Sequence, residues 1–148
     1  MLKSEQVGTG IKLPGRTKEG RPIEILLATM CIFSKQGKDE VSLSEFQESI
    51  AEFQREFLSL GYSFSSRFLY SLDLLTDLKD LHYGGYIRQY NYRHDSFLPK
   101  KFLNLTPLGK GRGWKMLEML SDDKIQGLQK AATTAIKNHE GRWRLWSR

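Results

Sequence analysis

The sequence predicts an α+β fold that is mostly helical, and three observations predict it. Apolar residues recur at spacings of three and four through five separate segments, which marks amphipathic helices. Two short stretches, residues 86–92 and 101–106, read as strands on either side of a polar tip. Glycines stand where the helical patterns stop, at Gly37, Gly61 and Gly84-Gly85. At 148 residues the chain is long enough for one core plus an additional helix or arm.

Residues 1–20 contain Gly8, Gly10, Pro14, Gly15 and Gly20 interleaved with Lys12, Arg16 and Lys18. This segment is expected to be a flexible basic arm. It is either a terminus without a role or an arm that follows a phosphate backbone or clasps a second subunit. From Arg21 the pattern becomes helical: Pro22 suits a first turn, and Glu24 suits the positive end of the helix dipole. Ile23, Leu26, Leu27, Met30 and Phe33 form its apolar face, and Gly37 ends it. Ser42 or Ser44 caps a second helix, and Glu45, three residues after Ser42, completes a capping box. Phe46, Ile50, Phe53, Phe57 and Leu60 give that helix its buried face up to Gly61. A short turn then leads to a third helix capped by Ser63 or Ser65, with Phe64, Phe68, Leu72, Leu75 and Leu78 at helical spacing. After the strands, residues 108–120 predict a fourth helix with Trp114, Leu117 and Leu120 on one side. Ser121-Asp122-Asp123 restarts a last helix to about Asn138. The expected organisation is an arm over 1–20, a domain over 21–120, and a helix with a Trp/Arg tail over 121–148.

The composition, 39% hydrophobic and 11% aromatic, is that of a folded protein and excludes general disorder. No apolar run approaches the roughly 18 residues that cross a bilayer, and the polar, glycine-rich start does not read as a secretory signal. No membrane partner and a cytoplasmic location are therefore expected. Cys31 is the single cysteine, in an apolar run, which predicts a buried structural thiol and excludes a cysteine zinc site. The net charge of +6 is unevenly placed: +3 over residues 1–22, −5 over 23–82, +5 over 83–120 and +3 over 121–148. Positive charge gathered in the hairpin, its exit and the termini suits a polyanion binder.

The stretch from the third helix onward resembles the second half of a winged helix-turn-helix domain. In regulators of the MarR and PadR kind a leucine-rich third helix is followed by "G-[YL]-I", a hairpin, and the exit "[FY]-x-L-T-x-x-G" into a long helix. This chain has Leu75, Leu78 and Leu81, then Gly85-Tyr86-Ile87, then Phe102-Leu103-Asn104-Leu105-Thr106-Pro107-Leu108-Gly109. The match spans residues 22–120, and the exit is its most specific part. The resemblance implies a winged helix with a C-terminal helical extension and double-stranded DNA as partner. It also implies a transcriptional regulator that dimerises through its terminal helices and tail. Carried over by position, Ser65, Ser66, Arg67 and Tyr70 would face the major groove, with Arg67 the best reader of guanine. Arg88, Arg93, Lys100 and Lys101 would contact phosphate from the wing, with Tyr90, Tyr92 and His94 between them to stack or donate. Lys110 and Arg112, in the glycine-rich start of the fourth helix, would add charge, and backbone amides there could meet a phosphate.

One pattern opposes groove insertion. Ser66, Tyr70, Asp73, Asp77 and Asp80 share a helical stripe, and three aspartates facing phosphate would repel it. Either only the first turns insert, or the aspartates pair with basic residues of the second strand or the tail, or the third helix faces protein. The last alternative describes a winged-helix interaction module, of the mobile-element, defence or toxin–antitoxin kind. Signals of catalysis are weak: His82, His94 and His139 lack metal-ligand spacing, and His94-Asp95 stands without the further ligands a metal hydrolase needs. Lys110 is not followed by Ser or Thr, so the Gly109–Gly113 glycines do not form a P-loop. The chain is expected to be no enzyme and to need neither metal nor cofactor. Trp143 and Trp146, beside Arg142, Arg144 and Arg148, either pack as an extension or clamp nucleic acid.

Overall fold

The computed structural model describes residues 17, 19–65, 70–92 and 100–146, without the side chains of residues 92, 100 and 141–146. The order is α1 (Glu24–Lys35), β1 (Val41–Ser42), α2 (Leu43–Glu56), α3 (Leu72–Tyr83), β2 (Ile87–Tyr92), β3 (Lys100–Leu105), α4 (Pro107–Met119) and α5 (Asp122–Trp146). The three strands form one antiparallel sheet in the order β1-β3-β2. The chain is thus α+β and mostly helical.

Helix α1 is the hub. Every residue from Ile25 to Phe33 is buried, so the helix is apolar on all sides, as a helix enclosed by other elements must be. It lies against α4, α5 and β3, while α2 lies along α5. Phe33, Phe46, Phe53, Ile50, Leu74, Leu78, Leu81 and Ile87 join it in a single core. Leu103 and Val41, paired across β1 and β3, close that core from the sheet side.

Helix α2 begins as its capping box requires: the Ser42 hydroxyl accepts from Glu45 N at 3.1 Å, and the Glu45 carboxylate accepts from Ser42 N at 3.2 Å. It does not reach Gly61. The helix stops at Glu56, and Gln54 takes over the amides beyond it, accepting from Leu60 N (3.1 Å) and Tyr62 N (2.8 Å) and donating to Tyr62 O (3.0 Å). A side-chain amide that satisfies three loop groups competes with further helix. Phe57 meanwhile stacks on Phe53 and lies over Gly127 of α5.

The third helix also departs from the pattern in the sequence. Ser71, not Ser63 or Ser65, is its cap, accepting from Leu74 N at 3.2 Å, and Ser71 N in turn donates to the buried Gln47 side chain at 2.9 Å. Phe64, Ser65 and Tyr70 lie outside any helix, and Ser65 N bonds Tyr70 O at 2.9 Å. Helix α2 ends at Glu56 and α3 begins at Leu72, so the short turn expected between them is not found. Periodicity alone missed this because Phe64 and Leu72 happen to keep helical spacing across a break. The far end is as expected. Gly85, at φ +85°, terminates α3 with Tyr86 N on Leu81 O (2.9 Å) and Gly85 N on His82 O (3.1 Å), a paired closure that favours glycine.

Strand β1 was not anticipated; two residues are too few to show a period, and only pairing with β3 defines them. Thr106 caps α4 and Pro107 occupies its first turn, as expected. Gly109 and Gly113 are contact points. A methyl on Gly109 would stand 1.9 Å from Tyr86 O, and one on Gly113 would stand 2.7 Å from Leu27 O. Both glycines let α4 seat directly on the backbone, at Tyr86 just ahead of β2 and at Leu27 of α1. Trp114 is not core: it is 38% exposed, with the Lys35 ammonium 5.3 Å from the ring centroid. Helix α5 continues past Asn138 through Trp146, so the Trp/Arg segment 142–146 is helical and not a separate tail.

Candidate nucleic-acid interface

The strand register sorts the hairpin side chains by face. Ile87 opposes Leu105, and Gln89 opposes Leu103, on the core side. Arg88 opposes Asn104, and Tyr90 opposes Phe102, on the other side. That second face is open: Arg88 is exposed, and Tyr90 and Phe102 are half-buried with their rings stacked 6.2 Å apart. Lys101 pairs with Asn91, so it stands on the opposite face from Arg88 and Tyr90. Asn104 Oδ1 is buried beside this open face and makes no hydrogen bond among the described residues. The Tyr90 hydroxyl donates to the Glu40 carboxylate, which brings an acidic group to the rim of the same face. Tyr92 and Lys100 pair across the hairpin by backbone, while Arg93 and His94 lie outside the described residues.

The expected groove-reading residues divide similarly. Ser66 and Arg67 lie outside the described residues. Ser65 and Tyr70 are exposed in the connection before α3, where they line a pocket of roughly 470 Å³ with Ser63, Phe64, Leu72 and Asp73. The exposed side chains of α3 itself are Leu72, Thr76, Lys79, Asp80 and Tyr83, with Asp73 half-buried. This is a mixed surface of two acids, one base and two large apolar groups.

The acidic stripe is resolved in a way the sequence did not indicate. Asp77 is 1% exposed and belongs to the interior. Arg21 donates to it from Nε and Nη2, each at 2.9 Å, and the Tyr62 hydroxyl donates at 2.7 Å. The guanidinium also lies 5.5 Å from the Tyr62 ring centroid. The hydrogen bond to Asp77 holds the Arg21 guanidinium even more firmly protonated than usual, against the cost of burial. Burial first, and then the bond to Asp77, push the Tyr62 phenol well above its ordinary range. One of the three aspartates is therefore neutralised inside the fold, and its partner is the root of the N-terminal arm, not the second strand or the tail.

The fourth helix contributes less than expected. Arg112 forms an ion pair with Glu24 of α1, which ties it to the hub. Lys110 is exposed, and its carbonyl accepts from Cys31 Sγ at 3.7 Å. Two amides near the cap are occupied, Gly109 N by Thr106 Oγ1 (3.1 Å) and Lys110 N by Thr106 O (2.8 Å). Cys31 itself is buried, and desolvation pushes its thiol up to about 11. His82 ends α3 but is held by the hairpin, with Gln89 N donating to Nδ1 at 3.2 Å.

Arg21, Tyr62, Gln47 and Gln54 were not singled out from the sequence as site residues, and Asp77 was read there only as part of an acidic surface stripe. One signal was present: Asp77 sits among Leu74, Leu78 and Leu81 on the apolar side of its helix, where a carboxylate requires a buried cation or donors. Among the described residues no three His, Cys, Asp or Glu side chains are grouped to hold a metal ion. No helix among them is long and apolar enough to cross a membrane. The chain matches no protein-family model, no curated protein and no solved structure.

Proposed function

We propose that this chain is a winged helix-turn-helix protein that binds double-stranded DNA as a cytoplasmic transcriptional regulator, with the β2–β3 hairpin as its principal grip. The observation that carries the reading is the order helix α3, glycine closure, hairpin, capped helix α4, together with a sheet whose β1 joins the hairpin through β3. In a winged helix that arrangement places the hairpin as the wing beside the third helix. The basic side chains of the hairpin add support: Arg88 and Lys101 are exposed on it, and Arg93 belongs to its tip by sequence. Neutralisation of Asp77 removes one of the three charges that would oppose a phosphate backbone.

Salt-titrated binding to mixed-sequence duplex tests the reading. With several phosphate contacts, affinity is expected to fall steeply with salt, at a logarithmic slope of about −0.9 per neutralised phosphate. Arg88→Ala with Lys101→Ala should weaken binding to all sequences and flatten that slope by roughly two units. Absence of binding at low salt would sink the proposal. The homodimer contact is assigned to α5, and sedimentation of a chain ending at residue 140 tests it, with loss of the dimer expected.

A specific observation favours a second reading, an interaction module whose partner is protein. Leu72 and Tyr83 are 67% and 68% exposed on α3, beside Asp73 and Asp80. Large exposed apolar groups rimmed by acids suit a protein partner better than a phosphate backbone. Retention of duplex binding by Leu72→Ser with Tyr83→Ser would leave that face free for such a partner.

A further inference from the structure

We infer that Arg21, Asp77 and Tyr62 form a positioning lock that sets the orientation of α3, and through it the hairpin, against the rest of the fold. The three residues come from the root of the N-terminal arm, from α3 and from the α2–α3 connection, and all are buried, at 8%, 1% and 5% exposure. The remaining buried face of α3 is Leu74, Leu78 and Leu81. Leucine burial is non-directional, so it restrains the rotation of a helix less sharply than a directional bond does. The Arg21–Asp77 fork, with two bonds of 2.9 Å each, does not: a bidentate guanidinium–carboxylate pair fixes distance and plane together. The Tyr62 bond of 2.7 Å adds a third restraint from another direction.

The surroundings are built to hold this geometry. Gly61, at φ +88°, lies under the Arg21 side chain, and a methyl there would meet Arg21 Cγ at 3.3 Å. Gln54 holds the amides on either side of Gly61, so Tyr62 is delivered by a braced segment. The other end of Arg21 is anchored by backbone: Arg21 N donates to Thr17 Oγ1 (3.1 Å) and Thr17 N donates to Arg21 O (2.8 Å). Arm root and α3 therefore share one fastening. Buried ion pairs contribute little net stability compared with apolar side chains of similar volume, while the fork geometry of a bidentate pair is directional. Orientation is the role that such a cluster serves.

The test is amide hydrogen exchange on the full chain. The variant Arg21→Met/Asp77→Leu/Tyr62→Phe replaces the cluster with apolar groups and leaves the net charge unchanged. It is expected to fold with a melting temperature equal to or above that of the parent. Amides of residues 74–83 should exchange at least tenfold faster relative to those of α1. Uniform loss of protection, an unfolded chain, or unaltered α3 protection would each overturn the lock. Tyr62→Phe alone keeps the ion pair and removes one restraint; severalfold faster exchange confined to α3 is expected, and no change overturns the assignment. The consequence for DNA rests on the function proposed above: the triple variant should bind duplex about tenfold more weakly at an unchanged salt slope. If the parent binds no duplex, that function fails, and the exchange pattern still decides the lock.

Discussion

Helices α3 and α4 flank the same hairpin and are fastened in opposite ways. Helix α4 is seated by absence: Gly109 and Gly113 remove side chains so that backbone meets Tyr86 O and Leu27 O directly. Helix α3 is seated by a charged fork, Arg21 on Asp77, inside the protein. The first contact is short-ranged and steric, so any added atom breaks it. The second is electrostatic and directional, so losing either partner leaves a stranded charge. A hairpin held between a steric seam and a charged fork has its base fixed from both sides, while its open face remains available.

The most damaging change should be Asp77→Ala. It leaves the Arg21 guanidinium, whose side chain is only 10% exposed, with the exposed Glu19 carboxylate 3.6 Å away as its remaining counter-charge, and breaking a buried pair on one side costs about 3–5 kcal/mol. Chemical denaturation should show this as a lower midpoint; a loss below roughly 1 kcal/mol would mean that water reaches the fork. Next is Gly109→Ala. Alanine favours a helix by about 1 kcal/mol over glycine, but the clash with Tyr86 O must displace backbone, and overpacking of this kind costs roughly 3 kcal/mol. A net fall in melting temperature is expected, and a rise would show that the seam can open. Gly111→Ala is the control on the same helix: nothing lies within 4 Å of the added methyl, so a gain of up to about 1 kcal/mol is expected.

The smallest effect concerns Cys31. Its folded value is raised to about 11 from 9.0 by desolvation. A raised value means that the folded state holds its proton longer than the unfolded state. The contribution is therefore fully present below pH 9 and is lost as pH rises towards 11. Stability should not change through this group near neutrality. The thiol should react with an aromatic disulfide only when the chain unfolds; rapid labelling of the native protein would show that the α1–α4 seam breathes.

Much of the helical framework was legible because caps and stops are local. Ser42 with Glu45, Thr106 with Pro107, and the Gly84-Gly85 closure each depend on a few neighbouring residues, and each lies where the sequence indicated. Boundaries that depend on distant partners were not legible. The end of α2 is decided by Gln54 and by Phe57 against Gly127, and the start of α3 by Gln47 on Ser71 N. The candidate interface follows the same division. Arg88, Tyr90 and Lys101 were identifiable as hairpin side chains, but which face each occupies follows from the register with β3. Arg112 read as a free base until its partner Glu24, on another helix, was placed.

By itself, then, the sequence determined the class of fold, the order of most elements and the uneven charge, because propensity, capping and composition act over a few residues. The tertiary structure alone decided that Asp77 is an interior anchor and not an acidic surface, that Gly109 and Gly113 are contact points, and that segment 142–146 continues α5. Those outcomes depend on which groups meet across the core, and burial changes the meaning of a charge or a glycine in a way that no local pattern records.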